Sequence, residues 1–137
     1  MVLCRQPLAE TAYRFLDLYE QPVGPAVVIP PLMTAAVFVP AGTEDRWPAL
    51  LASQWPDDVP RPSCLGRQHA IQVPPPAFSP SSPARWLIPP EIEIGFPPHL
   101  TSPVPLARCL SEAREALRER PELHRRRTRR AAKRVRP

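Results

Sequence analysis

Ten of the 18 basic residues of this 137-residue chain lie between positions 118 and 137. That segment holds nine arginines and Lys133 against Glu119 and Glu122, a net charge of +8. The other 117 residues carry eight basic and eleven acidic groups, a net of −3. The overall +5 therefore belongs to the tail. A guanidinium grips phosphate oxygens with two parallel hydrogen bonds, and neutralising several phosphates gives salt-dependent, sequence-independent affinity. A helix from Leu123 onward would spread Arg125, Arg126, Arg127, Arg129, Arg130, Lys133 and Arg134 around its whole circumference. These seven, with Arg136, are the candidate nucleic-acid contacts. No aromatic residue is interleaved with them, so they offer phosphate binding without base stacking. The competing reading is a solubilising extension, since 17 arginines to one lysine among many Ala and Pro fits GC-rich coding.

The remaining chemistry-bearing residues are sparse. Cys4, Cys64 and Cys109 stand 60 and 45 residues apart, outside metal-ligand or redox spacing. Three is odd, which favours reduced thiols and a cytoplasmic location. Asp57 and Asp58 adjoin in a proline-rich stretch and read as a solvated turn. Glu91 and Glu93 would share one face of a strand, as in any half-exposed strand alternating with Ile. His69 shares a face with Ile71 and Val73, and is either a buried hydrogen-bonded histidine or a ligand-facing one. Arg67 and Arg85 flank the same region and join it as candidate ligand-facing residues.

The elements that must position these groups are bounded by proline. The chain has 23 of them, far above the usual ~5%. Yet 43% of residues are hydrophobic, too many for a wholly disordered chain. A short strand over 2–4, a helix over 8–20, strands over 26–29 and 35–39, and a helix over 44–54 follow from periodicity. Thr43 is placed to cap that second helix, with Pro48 in its first turn and Trp47, Leu50, Leu51 and Trp55 facing inward. Two apolar runs, Cys64–Pro76 and Arg85–Pro90, must stop pairing where their prolines begin. Glu91–Ile94 alternates as a further strand. A last helix starts near 103–105 with Leu106, Leu110, Ala113 and Leu117 inward and Ser111, Glu112, Arg114 and Glu115 toward solvent. The apolar stretch 23–40 is broken by prolines and is too short for the ~20 residues of a membrane span. No basic segment leads into an apolar run at the start, so no signal peptide is expected. The fold class is α+β, a mixed sheet with helices packed on it.

Leu65-Gly66-x-x-His69-x-Ile71-x-x-Pro74-Pro75, a gap, then Arg85-Trp86-Leu87-x-Pro89-Pro90 resembles the latter half of the bifunctional DNA primase–polymerase N-terminal domain. Small stand-alone actinobacterial relatives are the most similar. Leu8–Ala12 with Phe15-Leu16, Pro22–Pro25, Ala36–Thr43, and Leu50-Leu51 with Trp55 match earlier parts in order, so the likeness spans about residues 2–90. It implies an RRM-like half domain over 1–100, followed by a helix over 101–120 and a basic arm over 121–137. In that family, two carboxylates on an early strand hold two metal ions, and a later strand bears a phosphate-binding His. Here the matching strands read Val2-Leu3-Cys4-Arg5-Gln6 and Thr34-Ala35-Ala36-Val37-Phe38, with neither. The expectation is a non-catalytic nucleic-acid-binding protein, DNA being the first choice of ligand, with no catalytic residues and no cofactor. A divalent metal would enter only if a segment outside this sequence supplied its ligands. The alternative is a protein-interaction module presenting the prolines at 74–76, 89–90 and 97–98.

Overall fold

The computed structural model describes residues 1–66, 84–90 and 99–118. Strand β1 (Val2–Arg5) runs straight into helix α1 (Gln6–Leu18). Pro7 sits in the first turn of α1, where no N–H is needed and a fixed φ helps. Ala9, Ala12, Tyr13 and Leu16 recur at helical spacing and are buried. The helix ends in a Schellman motif. Glu20 takes the left-handed conformation (φ 54°), and the Glu20 and Gln21 N–H groups donate to the Asp17 and Leu16 carbonyls.

Strands β2 (Ala26–Ile29) and β3 (Thr34–Val37) form a hairpin around a 3₁₀ turn, Pro30–Leu32, closed by Met33 at φ 52°. β3 stops two residues before the expected Val39. Phe38 still donates in register to Pro25 O (3.1 Å), but Pro25 has no N–H to return, and the Phe38 carbonyl accepts from Thr101 N (3.2 Å) instead, which ends the ladder.

Helix α2 (Thr43–Ala52) corrects two expectations. Gly42, at φ 87°, is the capping residue, and Thr43 is already helical. The Thr43 hydroxyl donates back to Pro40 O (2.6 Å) and caps nothing. Pro48 lies in the second turn, so the Glu44 carbonyl loses its helical donor. Trp47 and Leu51 are buried as expected, and Trp55 is buried just beyond the helix.

Strand β4 (Ser63–Cys64) and strand β5 (Arg85–Ile88) complete the sheet in the order β4-β1-β3-β2-β5. Every one of these pairings is antiparallel. β1 and β2 thus run the same way with β3 between them, the split βαβ arrangement used by RRM-like folds, with β5 added beside β2. β5 ends one residue before Pro89, as its prolines require. A bulge in β5 opposite Ala26/Val27 brings both Leu87 and Ile88 onto the core side.

The three helices of the described residues, α1, α2 and α3 (residues 103–118), pack on one face of this α+β sheet. The core joins Val2, Cys4, Ala26, Val28, Ala35 and Val37 of the sheet to Leu16, Leu51, Leu106 and Leu110 of the helices. Leu106, Leu110 and Ala113 face inward as read from the sequence, but two residues assigned to solvent do not. The Ser111 hydroxyl donates to Gln54 O (3.0 Å), and the Arg114 guanidinium lies 5.2 Å from the Trp55 ring centre, its side chain only 14% exposed. The chain leaving α2 covers that side of α3, which a helical wheel cannot reveal.

Candidate nucleic-acid interface

Strand alternation divides the sheet cleanly. Leu3 and Arg5 of β1, Thr34 and Ala36 of β3, and Val27 and Ile29 of β2 point away from the helical core. Trp86 stands opposite Val27 on that same side and is half-buried. Val27 and Ala36 have no exposed surface, so the middle of this face is covered. The two central strands place no aromatic ring on it. Base stacking on β1 and β3, the usual RRM device, has no residue here to perform it.

The periphery differs. Arg5 ends β1 opposite Thr34, and Arg85 opens β5 opposite Val28, so both stand at the sheet end that carries the β2–β3 turn. Both are exposed, and neither makes an ion pair or side-chain hydrogen bond with a described residue. Between them the turn residues Pro30, Pro31, Leu32 and Met33 are exposed throughout. Sequence marks Arg85 as a candidate but names Arg5 only within the strand that lacks the metal-binding carboxylates. Strand register alone reveals that the two share one end.

The other named candidates divide as follows. Arg67 and His69 lie outside the described residues, as do Arg125, Arg126, Arg127, Arg129, Arg130, Lys133, Arg134 and Arg136. Glu91 and Glu93 do too. Asp57 and Asp58 are exposed, and Asp57 accepts from Arg61 Nη2 at 2.6 Å, a surface turn as expected. The turn is held from below by two indoles. Trp47 Nε1 donates to Pro62 O (2.9 Å) and Trp55 Nε1 to Pro60 O (3.2 Å). Among the described residues no three His, Cys, Asp or Glu side chains gather as a metal ion would require.

A buried polar tie has no signal in the sequence. The Tyr13 hydroxyl donates to Gly24 O (3.2 Å), and the Gly24 N–H donates to Thr101 Oγ1 (2.8 Å). A Cβ on Gly24 would fall 2.5 Å from His99 O, so only glycine admits this approach of two backbones. Burial pushes the Tyr13 phenol up to about 12, against the pull of Thr101's hydroxyl beside it. Burial likewise raises the Cys4 thiol to about 12 and the Cys109 thiol to about 11. Such thiols keep their protons and are poor nucleophiles. On the surface, Tyr19 donates to Glu112 Oε2 (2.6 Å) beneath the Arg108 guanidinium, pinning the end of α1 to α3. That hydrogen bond raises the Tyr19 pKa.

No helix among the described residues is long and apolar enough to cross a membrane. No family model, curated protein or solved structure matches the chain.

Proposed function

We propose that this chain is a nucleic-acid-binding protein without nucleotidyl-transfer chemistry of its own, built on a primase–polymerase-like scaffold. Its basic arm, residues 121–137, contacts phosphates. The separation of charge carries this reading: +8 over residues 118–137 against −3 over the rest. An acidic body with a cationic arm suits a polyanion held by the arm, because the body adds no comparable attraction. The split βαβ frame is consistent with the scaffold that the sequence resembles. β1 offers Val2, Leu3, Cys4 and Arg5 where that family keeps its metal-binding carboxylates.

Fluorescence anisotropy with labelled single- and double-stranded DNA, and RNA of the same sequence, at several salt concentrations tests it. The arm's eight cations set a ceiling of ~7 on the log–log salt slope for duplex. Deleting residues 121–137 should remove most of the affinity and most of that slope. Affinity and slope unchanged by the deletion would overturn the role of the arm. Primer extension with Mg²⁺ or Mn²⁺ should give no product.

A further inference from the structure

We infer that the β2–β3 turn is a second contact for duplex DNA, wedging apolar side chains at a base step between two phosphate-binding arginines. This rests on the reading of the chain as a nucleic-acid binder and adds a site separate from the arm.

The tip, Pro30-Pro31-Leu32-Met33, is apolar at all four positions and exposed at all four. Leu32 is 68% and Met33 57% exposed, among the most exposed large apolar side chains of the described residues. Met33 also holds a left-handed backbone (φ 52°), where a glycine or asparagine would sit with less strain. Neither core packing nor turn geometry therefore explains the choice of methionine. Strained exposed positions are where function tends to override local preference.

The charges beside the tip select the partner. Arg5 and Arg85 flank it on β1 and β5, their backbones three strand spacings or about 14 Å apart. Their side chains lie on opposite faces of the sheet, Arg5 away from the helices and Arg85 on the side of core-facing Val28. Both are exposed and unpaired among the described residues. Glu10, on the neighbouring turn of α1, accepts a hydrogen bond from Gln6 Nε2. An apolar protein surface would leave both guanidiniums without partners, whereas a phosphate backbone on each side of the tip satisfies them. Leu, Met and Pro are the side chains that architectural proteins insert between base steps, with arginines on the flanking backbone.

The test uses the full chain and a 20-base-pair duplex with 2-aminopurine at a central TA step, an easily unstacked site. Wild type should raise 2-aminopurine emission. L32S/M33N should lose that rise and bind roughly ten-fold weaker with its salt slope unchanged. Both side chains are exposed and Asn tolerates the left-handed backbone, so this variant keeps the fold. R5A/R85A should lower the slope by about 2. If the full chain binds no duplex, the nucleic-acid reading and the wedge fall together. If it binds but L32S/M33N matches wild type in affinity and emission, the wedge alone falls. A wild-type dimer that L32S/M33N converts to monomer in sedimentation would also overturn it, assigning the tip to a second copy.

Discussion

At the residue scale, the buried protonated groups give the molecule a defined alkaline limit. Cys4 is raised from 9.0 to about 12, Cys109 from 9.0 to about 11, and Tyr13 from 10.0 to about 12, each by burial. Above pH 9 the unfolded chain gives up thiol protons that the folded chain retains. The folded state then binds more protons, so stability falls as pH rises. Their contribution is fully present below 9 and is lost as pH climbs through these raised values. Urea midpoints measured from pH 7 upward should hold level until near the thiol value of 9.0, then decline. With Cys4, Cys64 and Cys109 all replaced by alanine, since burial raises the Cys64 thiol too, the decline should begin about one unit higher, where tyrosine takes over. The sequence alone shows three unpaired cysteines but not which are buried. That depends on the face β1 turns to α1 and on where α3 lies.

At the element scale, proline punctuation and apolar periodicity make β1, α1, β2, the end of β5 and α3 legible in the sequence. Each has a local cause: a ring that ends pairing, or a stripe every three to four residues. The start of α2 is illegible for the opposite reason. Thr43 looks like a cap, yet the left-handed Gly42 starts the helix one residue earlier and turns the hydroxyl back to Pro40. The Schellman end of α1 supplies a prediction. Glu20 occupies its left-handed position, where glycine has no Cβ to clash. Glu20→Gly should therefore stabilise the protein by about 0.5–1 kcal/mol, read as a higher urea midpoint with an unchanged m-value. The greater freedom of glycine in the unfolded chain keeps the gain small. A lower midpoint would mean that the Glu20 side chain does more than its backbone strain costs.

At the scale of the whole molecule, the site is less readable from sequence than the fold. Arg85 is the one residue named from the sequence as ligand-facing or nucleic-acid-binding that the described residues contain, and its meaning comes from strand order, which sets it across the turn from Arg5. That juxtaposition needs the order β1-β3-β2-β5, which no local pattern encodes. The same non-local character governs how the chain reaches its native state. The Gly24–Thr101 hydrogen bond joins residues 77 apart, and α3 beyond it supplies fully buried Leu106 and Leu110. Closing so long a loop costs entropy before any contact repays it, so this contact belongs late on the folding route. Thr101→Val, which removes the acceptor, should leave the refolding rate nearly unchanged and speed unfolding several-fold in stopped-flow chevrons. A refolding arm slowed as much as the unfolding arm is quickened would place the tie within the nucleus. The tie of Tyr13, Gly24 and Thr101 is thus a latch on lifetime: it sets how long the folded chain persists rather than how fast it forms.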